Sequence, residues 1–144
     1  RPDWHDKFDI IMMGDILEHL KDPWQAVRNM FCLQSPEGEI LISMPNIMHF
    51  SIFNQMFHGD WEYEDAGILD RTHLRFFTKK TAQRLLEQAG YQIRSITSIQ
   101  WFSNRGPQMQ EFINKLRPLL SNGIEMEQIL SEQWIIVGEK PKEK

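Results

Sequence analysis

Two carboxylates and a histidine crowd one short stretch of this chain, Gly14-Asp15-Ile16-Leu17-Glu18-His19-Leu20. A glycine at the head of such a turn lets backbone approach a ligand, and Asp15 can accept a hydrogen bond from an amine or a hydroxyl. The alternative is a tight turn whose polar side chains only cap and solvate it. A second stretch, residues 47–77, mixes histidine with aromatics, among them His49, Phe50, Phe57, His58, Trp61 and His73. Its aromatics suit a ligand pocket or, equally, a small satellite core under a long loop. The same stretch carries Asp60, Glu62, Glu64, Asp65 and Asp70. Carboxylate oxygens suit a hard cation, but the spacing fits no EF-hand loop, and there is neither a His-x-x-x-His pair nor a cysteine cluster. These acids are read as a solvated lid, and no metal site is expected.

Several elements must position these residues. Residues 8–13 are a nearly unbroken apolar run, which predicts a strand covered on both faces, as in a parallel sheet. Asp22-Pro23-Trp24-Gln25 predicts a helix start, with Asp22 as cap, Pro23 in the first turn and Gln25 as capping-box partner. Ala26, Val27, Met30 and Phe31 give that helix one apolar face. Ser35-Pro36-Glu37-Gly38 reads as a turn. Ile40, Leu41, Ile42 and Met44 form a second buried strand, closed by Pro45-Asn46. Strand, helix, strand is a βαβ unit, whose crossover is right-handed.

Residues 47–77 are too long for an ordinary connection and predict a lid or binding excursion, with a short helix over 54–58. Thr78 then caps a helix with Ala82, Leu85, Leu86 and Ala89 on one face, stopped by Gly90. Residues 91–99 read as a strand rich in β-branched residues, and 101–107 as a loop. Met109, Phe112, Ile113, Leu116 and Leu120 predict a helix over 108–120, broken by Ser121-Asn122-Gly123. A weaker helical turn over 125–130 and a final strand over 134–137 complete the pattern.

The 144 residues fit one domain, with 25% charged and 41% hydrophobic residues. A net charge of −4 gives no electrostatic case for nucleic acid as partner. No apolar run has the roughly 20 residues of a membrane span. The polar N-terminal residues are no signal peptide, so a cytoplasmic location is expected. The single cysteine, Cys32, excludes an intrachain disulfide and is read as a core residue on the apolar stripe of its helix.

The order of motifs carries more than any one of them. Gly-Asp-Ile-Leu-Glu-His-Leu, then Asp-Pro and a helix, then Pro-Glu-Gly-Glu-Ile-Leu-Ile-Ser-Met-Pro-Asn resembles class I S-adenosylmethionine-dependent methyltransferases, in the branch with a D-x-L-E-H-L turn. Asp70-Arg71-Thr72-His73-Leu74-Arg75-Phe76-Phe77-Thr78 and the helix ending Glu87-Gln88-Ala89-Gly90-Tyr91 are similar to the same branch. The resemblance covers residues 8–99, is weak over 100–131, and returns in the last strand.

That resemblance implies an α/β, Rossmann-like sheet in the order 3-2-1-4-5-7-6, of which this chain supplies strands four to seven. The sheet is expected to be mainly parallel, with flanking helices and the final strand antiparallel. The chain then forms a single partial domain, the C-terminal half of the whole, with residues 47–77 as lid or acceptor insertion and 101–131 as a variable insertion. The family's glycine-rich loop and the acidic residue after its second strand are not in this sequence. Gly14, Asp15, Ile16 and Glu18 are the cofactor-binding candidates that remain, and they should hold S-adenosylmethionine weakly. His73, with His19, is implied as general base or acceptor-orienting group; pinning of its loop is the alternative for His73. Asn46, His49 and Arg75 are the acceptor-binding candidates, and for Arg75 an ion pair with Asp70 is the alternative. The implied activity is methyl transfer to a small-molecule, sugar-like or lipid-linked acceptor. The chain alone is expected to be inactive and to self-associate through the open edge of residues 8–13. A non-catalytic binding or assembly module is the other reading.

Overall fold

Four strands form one sheet in the computed structural model, which describes residues 3–100, 106–120 and 123–142. They are β1 (Phe8–Gly14), β2 (Gln34–Pro45), β3 (Gln92–Ile99) and β4 (Gln133–Glu139), in the spatial order β1-β2-β4-β3. β1 and β2 are parallel, and β4 lies antiparallel between β2 and β3. Three strands therefore share one direction, as expected, but only the β1–β2 ladder is parallel. The expectation of a mainly parallel sheet holds for strand direction and not for pairing, because the reversed strand is internal and has two neighbours.

Helix α1 (Pro23–Leu33) starts at Asp22, whose side chain accepts from the Gln25 N–H at 2.9 Å. The reciprocal arm of the predicted box is not made. The Gln25 amide instead donates to Asn29 and accepts from Arg28. Helix α3 (Lys79–Gln88) begins with a full capping box between Thr78 and Thr81, and Gly90 takes φ +106° just beyond its end. Val27 of α1 and Ala82, Leu85 and Leu86 of α3 pack with Ile11, Met13, Ile40, Ile42, Met44, Trp134 and Ile136 from the sheet. This is the main core, and it lies on one face of the sheet.

Several expectations are corrected. β1 is an edge strand covered on one face only: Ile11 and Met13 are buried, whereas Ile10 and Met12 are 67% and 68% exposed. Cys32 is exposed, because it lies off the Val27 stripe of α1. Helix α4 (Pro107–Leu116) is shorter than predicted and passes into a 3-10 turn, Arg117–Leu119. Pro118 has no N–H to continue the ladder and crowds the preceding turn. Helices α2 (Phe50–Phe57) and α5 (Met126–Leu130) are longer and shorter, respectively, than the segments expected there. Within the predicted loop and break, residues 101–105 and 121–122 lie outside the described residues. Among the described residues no helix is long and apolar enough to cross a membrane.

The segment read as a turn at Ser35 to Gly38 is drawn into β2 as a bulge. Pairing jumps from Phe8 with Gln34 to Ile10 with Glu39, and the buried Gln34 amide bridges back to the Gly38 carbonyl. Pro36 is tolerated there because a bulged residue makes no ladder bond. Gly38 is required by space: a Cβ would lie 2.8 Å from the Phe8 carbonyl oxygen and 2.9 Å from that of Asp9. Backbone cannot yield as a side chain can, so Gly38→Ala is expected to destabilise the chain by about 1–3 kcal/mol. Chemical denaturation measures this, and an unchanged midpoint would refute the close approach.

Candidate functional site

Beyond β1 the chain makes a tight turn at Asp15, which takes φ +48°. Aspartate tolerates this left-handed conformation better than most residues. Ser43, at the same end of neighbouring β2, holds the turn. It accepts from the Asp15 N–H through its hydroxyl at 3.1 Å and its carbonyl at 3.2 Å, and its hydroxyl meets the Asp15 carboxylate at 3.1 Å. Gln133 of β4 donates to the same carboxylate. The 3-10 turn Leu17–His19 follows, and its Leu17 and Glu18 are fully buried.

Residues 70–75 dock on this turn through backbone. The Glu18 carbonyl accepts from the N–H groups of Leu74 at 2.7 Å and Arg75 at 3.0 Å. Arg75 adds its guanidinium, which donates to the Lys21 and Leu74 carbonyls at 2.6 and 2.8 Å. Asp70 shapes the loop by accepting from the Thr72 N–H at 2.7 Å and hydroxyl at 2.6 Å. The Thr72 hydrogen bonds hold its carboxyl below the ordinary value.

This docking brings His73 to Glu18 and His19. His73 Nε2 lies 4.0 Å from Glu18 Oε1, and the two imidazole centroids are 4.7 Å apart. The His73 side chain is 7% exposed and that of Glu18 1%. His73 Nδ1 faces the Ile68 carbonyl at 3.0 Å, and a carbonyl can only accept, so Nδ1 carries the proton. His19 Nδ1 likewise donates toward the Thr72 carbonyl and hydroxyl, at 3.3 and 3.1 Å. A neutral imidazole fixed in this way presents its lone pair at Nε2. Neither Glu18 carboxylate oxygen has a hydrogen-bond partner among the described residues. Burial pushes the Glu18 carboxyl above its ordinary value and outweighs the opposing pull of His73 and His19. Asp15, Glu18, His19, Asp70, His73 and Gln133 line a cleft of about 360 Å³.

The other candidates fall elsewhere. Asn46 is fully buried, and its amide is committed to backbone: Nδ2 donates to the Gln128 and Ser131 carbonyls, both at 2.7 Å, and Oδ1 accepts from Met48. It clamps the end of β2 to α5, and the acceptor-binding expectation is revised accordingly. Arg75 is revised in the same way, since its guanidinium ties the loop to the turn and makes no ion pair with Asp70. His49 lines a separate cleft of about 320 Å³ with Phe50, Ile113 and Arg117. Glu132 borders both clefts. Gly14 and Ile16 are exposed beside Asp15, and a Cβ on Gly14 would meet nothing nearer than Ser43 Oγ at 3.6 Å. The outer side of this turn is open and fits one wall of a cofactor site. Sequence reasoning missed Ser43 and Gln133. A serine inside Ile40-Leu41-Ile42-Ser43-Met44 was a signal for the first; nothing in the sequence marked the second.

The methyltransferase domain family matches by its sequence profile over residues 1–96. The chain belongs to this family, and its fold is that of class I S-adenosylmethionine-dependent methyltransferases. Similar solved structures include a methyltransferase candidate from Bacillus halodurans, with 15% identity and a TM-score of 0.59 over 99% of this chain and 74% of that one. Another is a SAM-dependent methyltransferase from Thermotoga maritima, with 14% identity and a TM-score of 0.62 over 98% of this chain and 59% of that one. A third is the 1,6-didemethyltoxoflavin-N1-methyltransferase of Burkholderia thailandensis, solved with S-adenosylhomocysteine. It shares 14% identity and a TM-score of 0.54 over 97% of this chain and 47% of that one. The chain thus spans between about half and three quarters of the length of these structures. No curated protein matches the sequence.

His49 carries a pH signature. Burial lowers its pKa to about 4, despite Glu132 at 4.0 Å. The unfolded chain takes up the His49 proton near pH 6.5, whereas the folded chain does so only near 4. Stability is unaffected above pH 6.5 and falls as pH drops from 6.5 to about 4, by up to about 3 kcal/mol. Denaturation at pH 7 and 4.5 should show this loss in the native chain and a smaller one in His49→Gln. Equal losses in both would remove His49 as the cause.

Proposed function

We propose that the chain is the acceptor-side part of a methyltransferase that moves the S-adenosylmethionine methyl group to a hydroxyl of a small-molecule, sugar-like or lipid-linked acceptor. The observation that carries this reading is the Glu18, His19 and His73 cluster, opening into a cleft beside the Gly14–Ile16 turn. In open α/β sheets ligands bind at the carboxyl ends of the strands, where this cleft lies. S-adenosylmethionine, when bound, supplies an electrophilic methyl carbon. The Thermotoga and Burkholderia neighbours, by their own descriptions, use or bind it or its product.

The acceptor hydroxyl must be aimed and relieved of its proton as methyl transfer proceeds. His73 Nε2 has the free lone pair for either role, fixed by the bond from Nδ1 to Ile68. Glu18 stands 4.0 Å from it and can hold the imidazolium that forms. His19 faces the same cleft from the turn. Gly14, Asp15 and Ile16 contribute one wall of the cofactor site, which is too little for tight binding by this chain alone.

The protein that carries this chain should transfer label from S-adenosylmethionine to hydroxyl-bearing acceptors, and the 144-residue chain alone should not. His73→Gln is expected to lower kcat/KM by about 10²–10⁴-fold. Absence of transfer to any hydroxyl acceptor, or full activity in His73→Gln, would overturn the reading.

The proposal extends to the outer edge of β1. Unpaired strand edges flanked by apolar side chains such as Ile10 and Met12 template pairing with another strand. The chain alone is expected to form a two-fold dimer through this edge. Sedimentation should show a dimer at high concentration, and replacement of Met12 by Lys should shift it to monomer; a monomeric native chain would refute it.

A further inference from the structure

We infer that Glu18, His19 and His73 form a binding site for one divalent first-row transition-metal ion. One carboxylate oxygen and one nitrogen from each imidazole lie within 4.8 Å of one another. Three features make this more than a chance cluster of polar groups.

The first is an acceptor-only arrangement. Both Nδ1 atoms face backbone carbonyls, so in the neutral rings both Nε2 atoms present lone pairs. Glu18 adds two further acceptor oxygens, buried and without a hydrogen-bond partner among the described residues. The Glu18 oxygens and the His73 ring are buried, and unpaired acceptors in a buried place are costly unless something positive sits among them. The second is the outer bonding of the histidines. Metal-ligating imidazoles commonly donate their other N–H to a carbonyl or carboxylate, which fixes tautomer and ring orientation. His73 does this to Ile68 and His19 to Thr72. The third is the opening. Three protein ligands at the wall of a cleft of about 360 Å³ leave room for a further ligand from the cleft, which is the pattern of a reactive site and not of a closed structural one.

The donor set selects the ion. Two imidazoles and one carboxylate suit zinc, manganese, iron or cobalt in the divalent state, whereas magnesium and calcium prefer all-oxygen shells. Bonds of about 2.1 Å put tetrahedral ligand atoms about 3.4 Å apart. The ligand atoms lie within 4.8 Å of one another, with 4.0 Å between His73 Nε2 and Glu18 Oε1, so the cluster has to close by up to about 1.4 Å.

Ion binding itself is independent of the methyl-transfer reading. What it adds rests on that reading. The ion would take an acceptor oxygen as its next ligand, which gives His73 the orienting role of the two considered above. The acceptor class then narrows to molecules with an ionisable or chelating oxygen, such as adjacent hydroxyls.

Cobalt(II) is the probe, because its visible absorption reports ligand number and geometry. Titration of the chain is expected to give one equivalent bound, with the bands of a low-coordinate nitrogen and oxygen site. His19→Ala, His73→Ala and Glu18→Gln should each weaken binding by more than the roughly 10–100-fold caused by loss of an outer partner. His58→Ala, an exposed histidine outside the cluster, should leave it unchanged. His19 lies at the surface end of the cluster, so His19→Ala is the variant least exposed to misfolding, and circular dichroism checks each fold. Absence of cobalt binding by the native chain, or binding that survives His19→Ala, overturns the inference. Cobalt binding without methyl transfer by the parent protein would leave the ion site standing and remove the methyltransferase proposal; absence of cobalt binding with transfer unaffected by chelators would do the reverse.

Discussion

One carbonyl oxygen holds the candidate site together. The Glu18 carbonyl accepts two backbone N–H groups from Leu74 and Arg75, joining segments more than fifty residues apart in the chain. Backbone bonds of this kind fix position closely, since neither partner has side-chain freedom. The Glu18 side chain is buried as well. Its carbonyl thus anchors the loop while its carboxylate meets His73, a residue of that loop. Arg75 and Asp70 serve the same end, Arg75 by donating to the Lys21 carbonyl and Asp70 by accepting from the Thr72 N–H. With the bonds from His19 to Thr72 and from Arg75 to Lys21, this contact brings the two histidines to one place.

The fold was largely legible because its cues are local. Asp22, Thr78 and Gly90 mark helix limits by their own chemistry, and the apolar runs of β2 and β4 match their burial. Features that depend on distant partners were not legible. The bulge at Gly38 exists because two carbonyls of β1 pass too close for a Cβ. The exposed face of Ile10 and Met12 reflects what packs on the sheet, and the run of residues 8–13 reads the same either way. In the site, residue types pointed to Glu18, His19 and His73 separately, but their meeting is set by the backbone dock. Asn46 and Arg75 show the opposite failure. A polar side chain near a strand end can serve a ligand or satisfy the chain's own carbonyls, and sequence alone does not separate these uses.

Fold and site also carry different weights. The structural likeness to solved methyltransferases, with TM-scores of 0.54 to 0.62, shows the architecture but says little about the acceptor. The local geometry adds that Glu132 stands between two clefts, one holding His73 and one holding His49.

The place of β4 has a consequence for synthesis. β3 is made before β4, and among the described residues it has no ladder to β2 and joins the sheet through β4 alone. On the ribosome, β1, α1 and β2 can associate as soon as they emerge. β3 must wait, with its edge unsatisfied, until the strand carrying Trp134 has left the exit tunnel. The late segment is the keystone of vectorial assembly, and a premature stop before it would release a chain in which β3 lacks its partner strand.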